Sequence, residues 1–538
     1  MKPNKLYILL SAILMVAGFN SCSDSFLDLK PLVNKLDQNA YITEDDAFGA
    51  MSTVYKALAA DNGLENVPTN SDIYSDDANA AGEPGGGMWE SWQPIELGIS
   101  EPTTESTLLW QKMWRGVYRA NTYLDKEADI EWKTPGKRDR MKGEVLTLRA
   151  YFYWDLARLF GWVPILDKPD ASNLSTLTQS SPDDVYKFIA TDLINALPLL
   201  PDQVNSAADK GRITRDVARV LISRIYLYYQ NFVKPVIGTA TPISAEWTTQ
   251  DGSTVINKAY VQGLMEEIIA SNRYHLLPNY ADIFSWTNQN NEESILEWQY
   301  SNAQLSSVYG NMNQGGNFSC TFYGIRNPAG DPNIATGWSF ATITFTLYRE
   351  FEPNDPRKYV TIYDAQDSLT GYTRGYQNTG YFNYKYMPLK KYVSPPDQYL
   401  NWPDNYRDMR YAEVLLTAAE LFLQDNPGKA LGYLNQVRTR AMGPSAALTS
   451  IDIDVLTHER RVEFAGEGQR KWYLMERGLD YAEQKINASE DTATMPSYVT
   501  KSDFVGRHFN KDTWGMLPIP ASEIQLNPAL KQFVPAFK

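Results

Sequence analysis

Apolar residues recur three or four positions apart over most of this chain, the spacing that places them on one face of an α-helix. The plainest stretch is 138–164, where Met141, Val145, Leu148, Phe152, Leu156 and Leu159 form the stripe. Gly161 follows where a left-handed C-cap is wanted, and Pro164 cannot continue the helix. A stripe this wide must be covered by other helices, because a lone helix is unstable with that face in water. Companions are present. Ala47, Met51, Val54 and Leu58 follow a Thr43 N-cap with Asp46 three residues on, and Leu109, Met113, Val117, Ala120 and Leu124 make a further stripe. Ser181-Pro182-Asp183-Asp184 joins an N-cap, a first-position proline and first-turn acid ahead of Val185, Ile189, Leu193 and Ala196. Thr214 caps a helix bearing Val217, Leu221, Ile225 and Tyr228, and 257–271 is another. Helical period returns at 407–423 and 429–441, and 459–478 reads as two short helices punctuated by Gly466, Gly468 and Gly478.

The pattern predicts a mainly α fold: stacked helical hairpins of the tetratricopeptide kind, with a repeat of roughly 35 to 45 residues and irregular insertions. Two stretches interrupt it. Residues 61–104 hold a long loop with SDIYSDDANA, Gly85-Gly86-Gly87, Trp89 and Trp92. Beyond Tyr280 helical period fades, Asn, Gly and Pro accumulate, aromatics crowd together, and runs such as 339–348 read as short strands at most. The expected organisation is a scaffold over 41–279 with a binding loop inserted at 61–104, a loop-rich, partly β ligand-binding subdomain over 280–405, and a scaffold return over 406–538. That last part ends in a proline-pinned tail that packs back on the body.

The N-terminus reads as an address rather than as fold. Lys2 and Lys5 precede an apolar run over 6–19, too short for the roughly 20 residues of a membrane-spanning helix. It ends at Ser21-Cys22, as a bacterial lipoprotein signal would: residues 1–21 are removed, Cys22 carries the lipid, and 22–40 form a tether. A plain secretory signal with an incidental cysteine is the alternative. Cys320 is the only other cysteine, so with Cys22 acylated the fold relies on its core rather than on disulfides.

Charge and composition narrow the chemistry. A formal net charge of -14 with no basic stripe excludes nucleic-acid binding. Aromatics reach 13%, mostly Tyr and Trp, whose apolar faces and polar tips suit a wet binding surface as well as a core. His275, His458 and His508 are scattered and fit no zinc spacing, and no nucleophile or nucleotide motif stands in its context, so the chain does not read as an enzyme and no cofactor is expected. Paired carboxylates of a glycoside hydrolase would be Asp76-Asp77 or Glu292-Glu293, though adjacent acids are usually solvated or capping. The acids and arginines of 459–477, and Glu144 with Arg149, read as ion pairs that carry fold.

Several blocks together resemble the SusD/RagB family of outer-membrane nutrient-binding lipoproteins of Bacteroidetes. They are NSCSDSFLD, GEVLTLRAYFYWDLARLFGWVP, GRITRDVARVLISRIYLY, RYAEVLLTAAE, LNQVRTRA, ERRVEFAGEGQRKWYLMERG and LPIPASEIQLNP, in the family's order and spanning nearly the whole chain. The resemblance implies a tetratricopeptide-like frame with a loop-rich binding part. It implies a lipid-anchored protein of the outer membrane that faces the cell exterior, binds oligosaccharides or in some members peptides, and passes them to a SusC-like TonB-dependent transporter. It does not imply catalysis.

A sugar ring offers an apolar C–H face and a rim of hydroxyls, so its site needs flat rings with polar partners beside them. The aromatics in polar, glycine-rich loops are the candidates: Trp89, Trp92, Tyr309 and Trp338, with Asp76, Asp77, Asn311 and Arg326 as partners. Asp72, Asp76 and Asp77 could alternatively hold calcium or cap local turns. A helical-repeat adaptor with no small ligand is the remaining reading.

Overall fold

The computed structural model describes residues 41–538 apart from 60–65, 83–103, 170–173, 205, 303–314, 393–398, 491 and 505. The signal, Cys22, the tether, Trp89, Trp92, Tyr309 and Asn311 lie outside the described residues.

The chain is mainly helical, with a few small sheets. In order, α1 (Glu44–Ala59), α2 (Val67–Ile73), β1 (Ala78–Ala80), α3 (Thr104–Lys126), α4 (Lys137–Phe160), α5 (Pro182–Ala196) and α6 (Arg215–Tyr228) lead to the hairpin β2 (Trp247–Thr248) and β3 (Val255–Ile256), then α7 (Lys258–Ala270). The loop-rich part holds β4 (Ser294–Trp298), α8 (Ser319–Tyr323), β5 (Ala341–Ile343), α9 (Phe345–Glu350), α10 (Arg357–Thr361), β6 (Ile362–Asp364), α11 (Ala365–Ser368) and β7 (Tyr381–Asn383). It is followed by β8 (Tyr406–Arg410), α12 (Tyr411–Phe422), α13 (Pro427–Met442), α14 (Ile453–Phe464), α15 (Arg470–Glu476), α16 (Leu479–Asn487) and α17 (Ala521–Leu526).

Helix α4 is the hub, with α3 and α5 packed on it and α1 against α3. Its apolar stripe is buried throughout, together with Ala150, Tyr153 and Trp154, so this helix is enclosed on most sides rather than on one. Gly161 ends it with φ near +75°, and its N–H donates to the Ala157 carbonyl. Ser181 accepts from the Asp184 N–H and starts α5, as its sequence dictates. The tail returns to this hub: Leu517 N–H donates to Leu159 O, and Phe533 stacks on Trp162 at 5.2 Å.

Two antiparallel pairings set the loop-rich part on this frame. β4 pairs with β8, Trp298 opposite Tyr406, which brings the two ends of that part together. β1 joins the sheet of order β1-β5-β7-β6, so the early segment 78–80 is a strand of the later subdomain. The helical period over 407–423 predicts a helix from residue 407, but 406–410 form β8 and the helix begins at Tyr411. Arg407 and Arg410 are fully buried there, and each side chain is satisfied by acids and carbonyls that a helix at this point would not face.

The charges of 459–477 do form ion pairs, but mostly with distant segments. Glu463 takes Arg357, Arg410 and Arg440, and Glu467 takes Lys385 and Arg410. The network fastens α14 and the turn after it to both the loop-rich part and α13. Glu144 and Arg149 do not pair with each other. Glu144 receives Arg140, Arg212 and the Tyr55 hydroxyl, while Arg149 makes a two-pronged contact with Asp192 at 2.7 Å on each prong. Both lie on α4 five residues apart, which puts them on different faces.

Candidate functional site

Gly324 and Gly337 create the local geometry from which the site is built. A Cβ on Gly337 would lie 2.4 Å from Gly324 Cα, so only two bare backbones can approach this closely. The two strands of chain are tied by Gly337 N–H to Ile325 O, Trp338 N–H to Thr321 O and Ser339 N–H to Gly324 O, each 2.8 Å. Ser339 adopts φ near +55°, an uncommon conformation for a residue with a side chain. Its hydroxyl accepts from the Arg326 N–H at 3.0 Å, which offsets part of that strain.

This arrangement brings together Trp338 and Arg326, two of the residues singled out in the sequence. The Arg326 guanidinium donates to the Trp338 carbonyl at 3.1 Å, and both side chains are half-buried. The indole edges onto a cluster of rings: Phe318 at 5.3 Å and nearly perpendicular, Phe340 at 5.4 Å and Tyr399 at 5.7 Å. Phe318 and Phe340 are core residues, so the indole is held from beneath and keeps part of its surface in water. Nearby, Tyr392 stacks on buried Trp286 at 4.3 Å. Tyr392 and Tyr399 were not singled out in the sequence, although their polar, proline-rich surroundings are of the same kind as those of Trp338.

Asp76 and Asp77 are a correction to the site reading. They are 1% and 2% exposed. Asp76 accepts from Arg470 at 2.7 and 3.0 Å and also pairs with Arg461, which donates to Asp77 Oδ1 at 3.0 Å. Burial raises the Asp76 pKa, but the two guanidinium groups outweigh it and hold the carboxylate below its usual range. For Asp77 burial wins and the value is raised. Asp72 accepts from Gly468 N–H and the Tyr323 hydroxyl, and burial with Asp77 nearby pushes its pKa well up. These acids fasten the chain around β1 to α14 and α15; they do not point at solvent or converge on a cation. Glu293, one of the acids considered for hydrolysis, is likewise buried and bridges Arg410 and Arg440. Among the described residues no group of three or more acids, histidines or cysteines has the geometry of a metal site, and no helix is long and apolar enough to cross a membrane.

The exposed part of the indole is a flat apolar surface, and the Arg326 side chain lies beside it. Known proteins with this frame give it context. The model of the SusD family matches residues 292–536, and a model described as starch-binding associating with outer membrane matches residues 20–227. A SusD-like protein of Bacteroides ovatus is 25% identical, over 90% of this chain and 84% of its own. The starch-binding protein SusD of Bacteroides thetaiotaomicron is 24% identical, over 82% and 79%. Among solved structures, a laminarin-binding SusD-like protein superposes with a TM-score of 0.75 at 27% identity, covering 91% of this chain and 99% of its own. Surface glycan-binding protein A from Bacteroides thetaiotaomicron, in complex with laminarihexaose, gives 0.73 at 27%, covering 90% and 97%. Two family models that match successive parts, and a frame shared over nine-tenths of the chain, lead to one conclusion: this chain belongs to the SusD family.

Proposed function

We propose that this protein captures an oligosaccharide on a platform centred on Trp338 and delivers it, uncleaved, to a TonB-dependent transporter of the outer membrane. The observation that carries this reading is the half-buried Trp338 indole, backed by Phe318 and Phe340, with the Arg326 side chain beside it. An indole face covering roughly 80 Å² of sugar at about 25 cal/mol per Å² contributes about 2 kcal/mol. Two or three such contacts, less the cost of association, give micromolar to millimolar binding, a range suited to capture and release.

The similarity of this frame to a laminarin-binding protein and to a glycan-binding protein in complex with laminarihexaose supports a glycan as ligand. The commitment of Asp76, Asp77 and Glu293 to arginines supports binding without hydrolysis. In this reading Cys22 carries the lipid anchor, the protein sits at the cell exterior, and Trp89, Trp92, Tyr309 and Asn311 contribute further contacts.

Calorimetry with a panel of oligosaccharides, laminarihexaose first, and a matched panel of peptides tests this on the protein lacking residues 1–22. Heat from at least one glycan with no product released supports the proposal. Binding of peptides alone would assign the nutrient to that class, and release of shortened sugar would make the protein a hydrolase. For the anchor, Cys22→Ala is expected to leave the membrane fraction.

A further inference from the structure

Trp338 and Arg326 are not at the end of their surface. The turn over 371–376 lies directly beside them: Thr373 N–H donates to Arg326 O at 2.9 Å, and Asn327 Nδ2 donates to the Thr373 hydroxyl at 3.1 Å. The same turn reaches the other way, since Gly82 N–H donates to Tyr376 O at 3.1 Å. It is therefore fixed at both ends, and what it carries is held in position relative to the platform.

Its middle carries Arg374. This side chain is exposed and makes no ion pair with a described residue. Its guanidinium lies over two rings, 5.3 Å from the Tyr372 centroid and 5.0 Å from Tyr498. Tyr498 is 37% exposed, and its hydroxyl is hydrogen-bonded with that of Tyr381. The Tyr372 hydroxyl accepts from Gln366 Nε2 at 2.6 Å, which fixes that ring as well. Beneath them, Tyr372 edges onto buried Phe382 at 6.0 Å, Tyr348 lies flat on Tyr381 at 3.9 Å, and the Lys358 ammonium covers the Tyr348 ring. Two pinned phenol rings, with an uncommitted planar fork of N–H donors laid between them, form a pair of surfaces complementary to a sugar. The ring edges and faces meet its C–H groups, and the guanidinium reaches vicinal hydroxyls with donors already oriented.

We propose that the sugar-contacting surface continues from Trp338 along the 371–376 turn to a second subsite formed by Arg374, Tyr372 and Tyr498. It takes a further residue of the same neutral oligosaccharide chain, and it rests on the glycan-binding reading above. A two-part surface makes affinity depend on chain length, because the second contact is made within an already bound molecule. A short sugar occupies one part only.

The test uses laminaribiose and laminarihexaose as probes, with the parent protein, Arg374→Gln, Tyr498→Ala and Trp338→Ala. Arg374 is exposed and unpaired, so Arg374→Gln is expected to melt with the parent, and it keeps the test valid should Tyr498→Ala prove unstable. The expected result is about tenfold weaker binding of the hexasaccharide by Arg374→Gln and Tyr498→Ala, with the disaccharide unchanged. The inference falls if Trp338→Ala loses binding while both other variants bind the hexasaccharide like the parent; the glycan reading then stands. If the parent binds no glycan of the panel, it is the glycan reading that falls, and the subsite with it; if it binds another glycan of the panel, the same variants are read with the long and the two-residue forms of that sugar.

Discussion

Asp76→Ala separates framework from site more sharply than any other single change. The Asp76 carboxylate is the only ion-pair partner of Arg470 among the described residues, through bonds of 2.7 and 3.0 Å, and the Arg470 side chain is 4% exposed. Arg461, in contrast, keeps Asp77 and Glu350 when Asp76 is removed. The change therefore leaves one buried guanidinium without its ion-pair partner, with only the more distant Asp77 to oppose its charge, a loss of about 3 kcal/mol. Set against a typical total stability of about 5–15 kcal/mol, the effect is large. Urea unfolding followed by tryptophan fluorescence at neutral pH measures it as a lower midpoint. The double variant Asp76→Ala, Arg470→Met removes both charges and is expected to recover part of the loss. At a temperature well below the melting range, the variant should still bind glycan within about twofold of the parent, since the carboxylate faces no ligand. The reasoning fails if Asp76→Ala retains the parent's midpoint, or if it loses binding while the midpoint is kept.

Two more predictions follow the same logic. Burial lifts Asp404 to about 7 against the opposing pull of Arg407. Between its ordinary value of 3.8 and that raised one, the folded state holds a proton that the unfolded state has lost. Stability therefore falls by about 1.4 kcal/mol per pH unit as pH rises through this window, most visibly from pH 5 to 7. In Asp404→Asn that part of the slope should be missing from melting curves, and an unchanged slope would exclude Asp404 as its source. Gly337→Ala forces a Cβ against the Gly324 backbone and should cost about 1–3 kcal/mol while shifting Trp338 and weakening binding, whereas Gly263→Ala, with open space around it, should do neither.

The frame was legible in the sequence wherever one helix carries one apolar stripe with a cap at its end. Residues 141–159, Gly161 and Ser181 are of this kind, because the determinants of such a helix are local. What the sequence hid is non-local. Asp76 and Arg470 stand 394 positions apart, so adjacent acids that look solvated turn out to be buried ion-pair partners. β8 was hidden for a related reason: Arg407 and Arg410 are buried by partners from 283, 293 and 404 through 467, and no local period announces that. Trp338 was legible as an aromatic in a glycine-rich polar stretch. The Gly324–Gly337 contact that presents it, and Tyr399 beside it, depend on a close approach that only the folded backbone reveals.

The central claim is that a half-buried indole on a rigid ring cluster grips a sugar. Calorimetric titration of Trp338→Ala with the tightest-binding glycan of the panel tests it most directly. Loss of about 2 kcal/mol of contact predicts roughly thirtyfold weaker binding. The melting temperature should fall, because the ring's inner face packs on Phe318, Phe322 and Phe340, so the titration is run well below the melting range, where the variant is folded. Binding equal to the parent's by a folded Trp338→Ala protein would contradict the account.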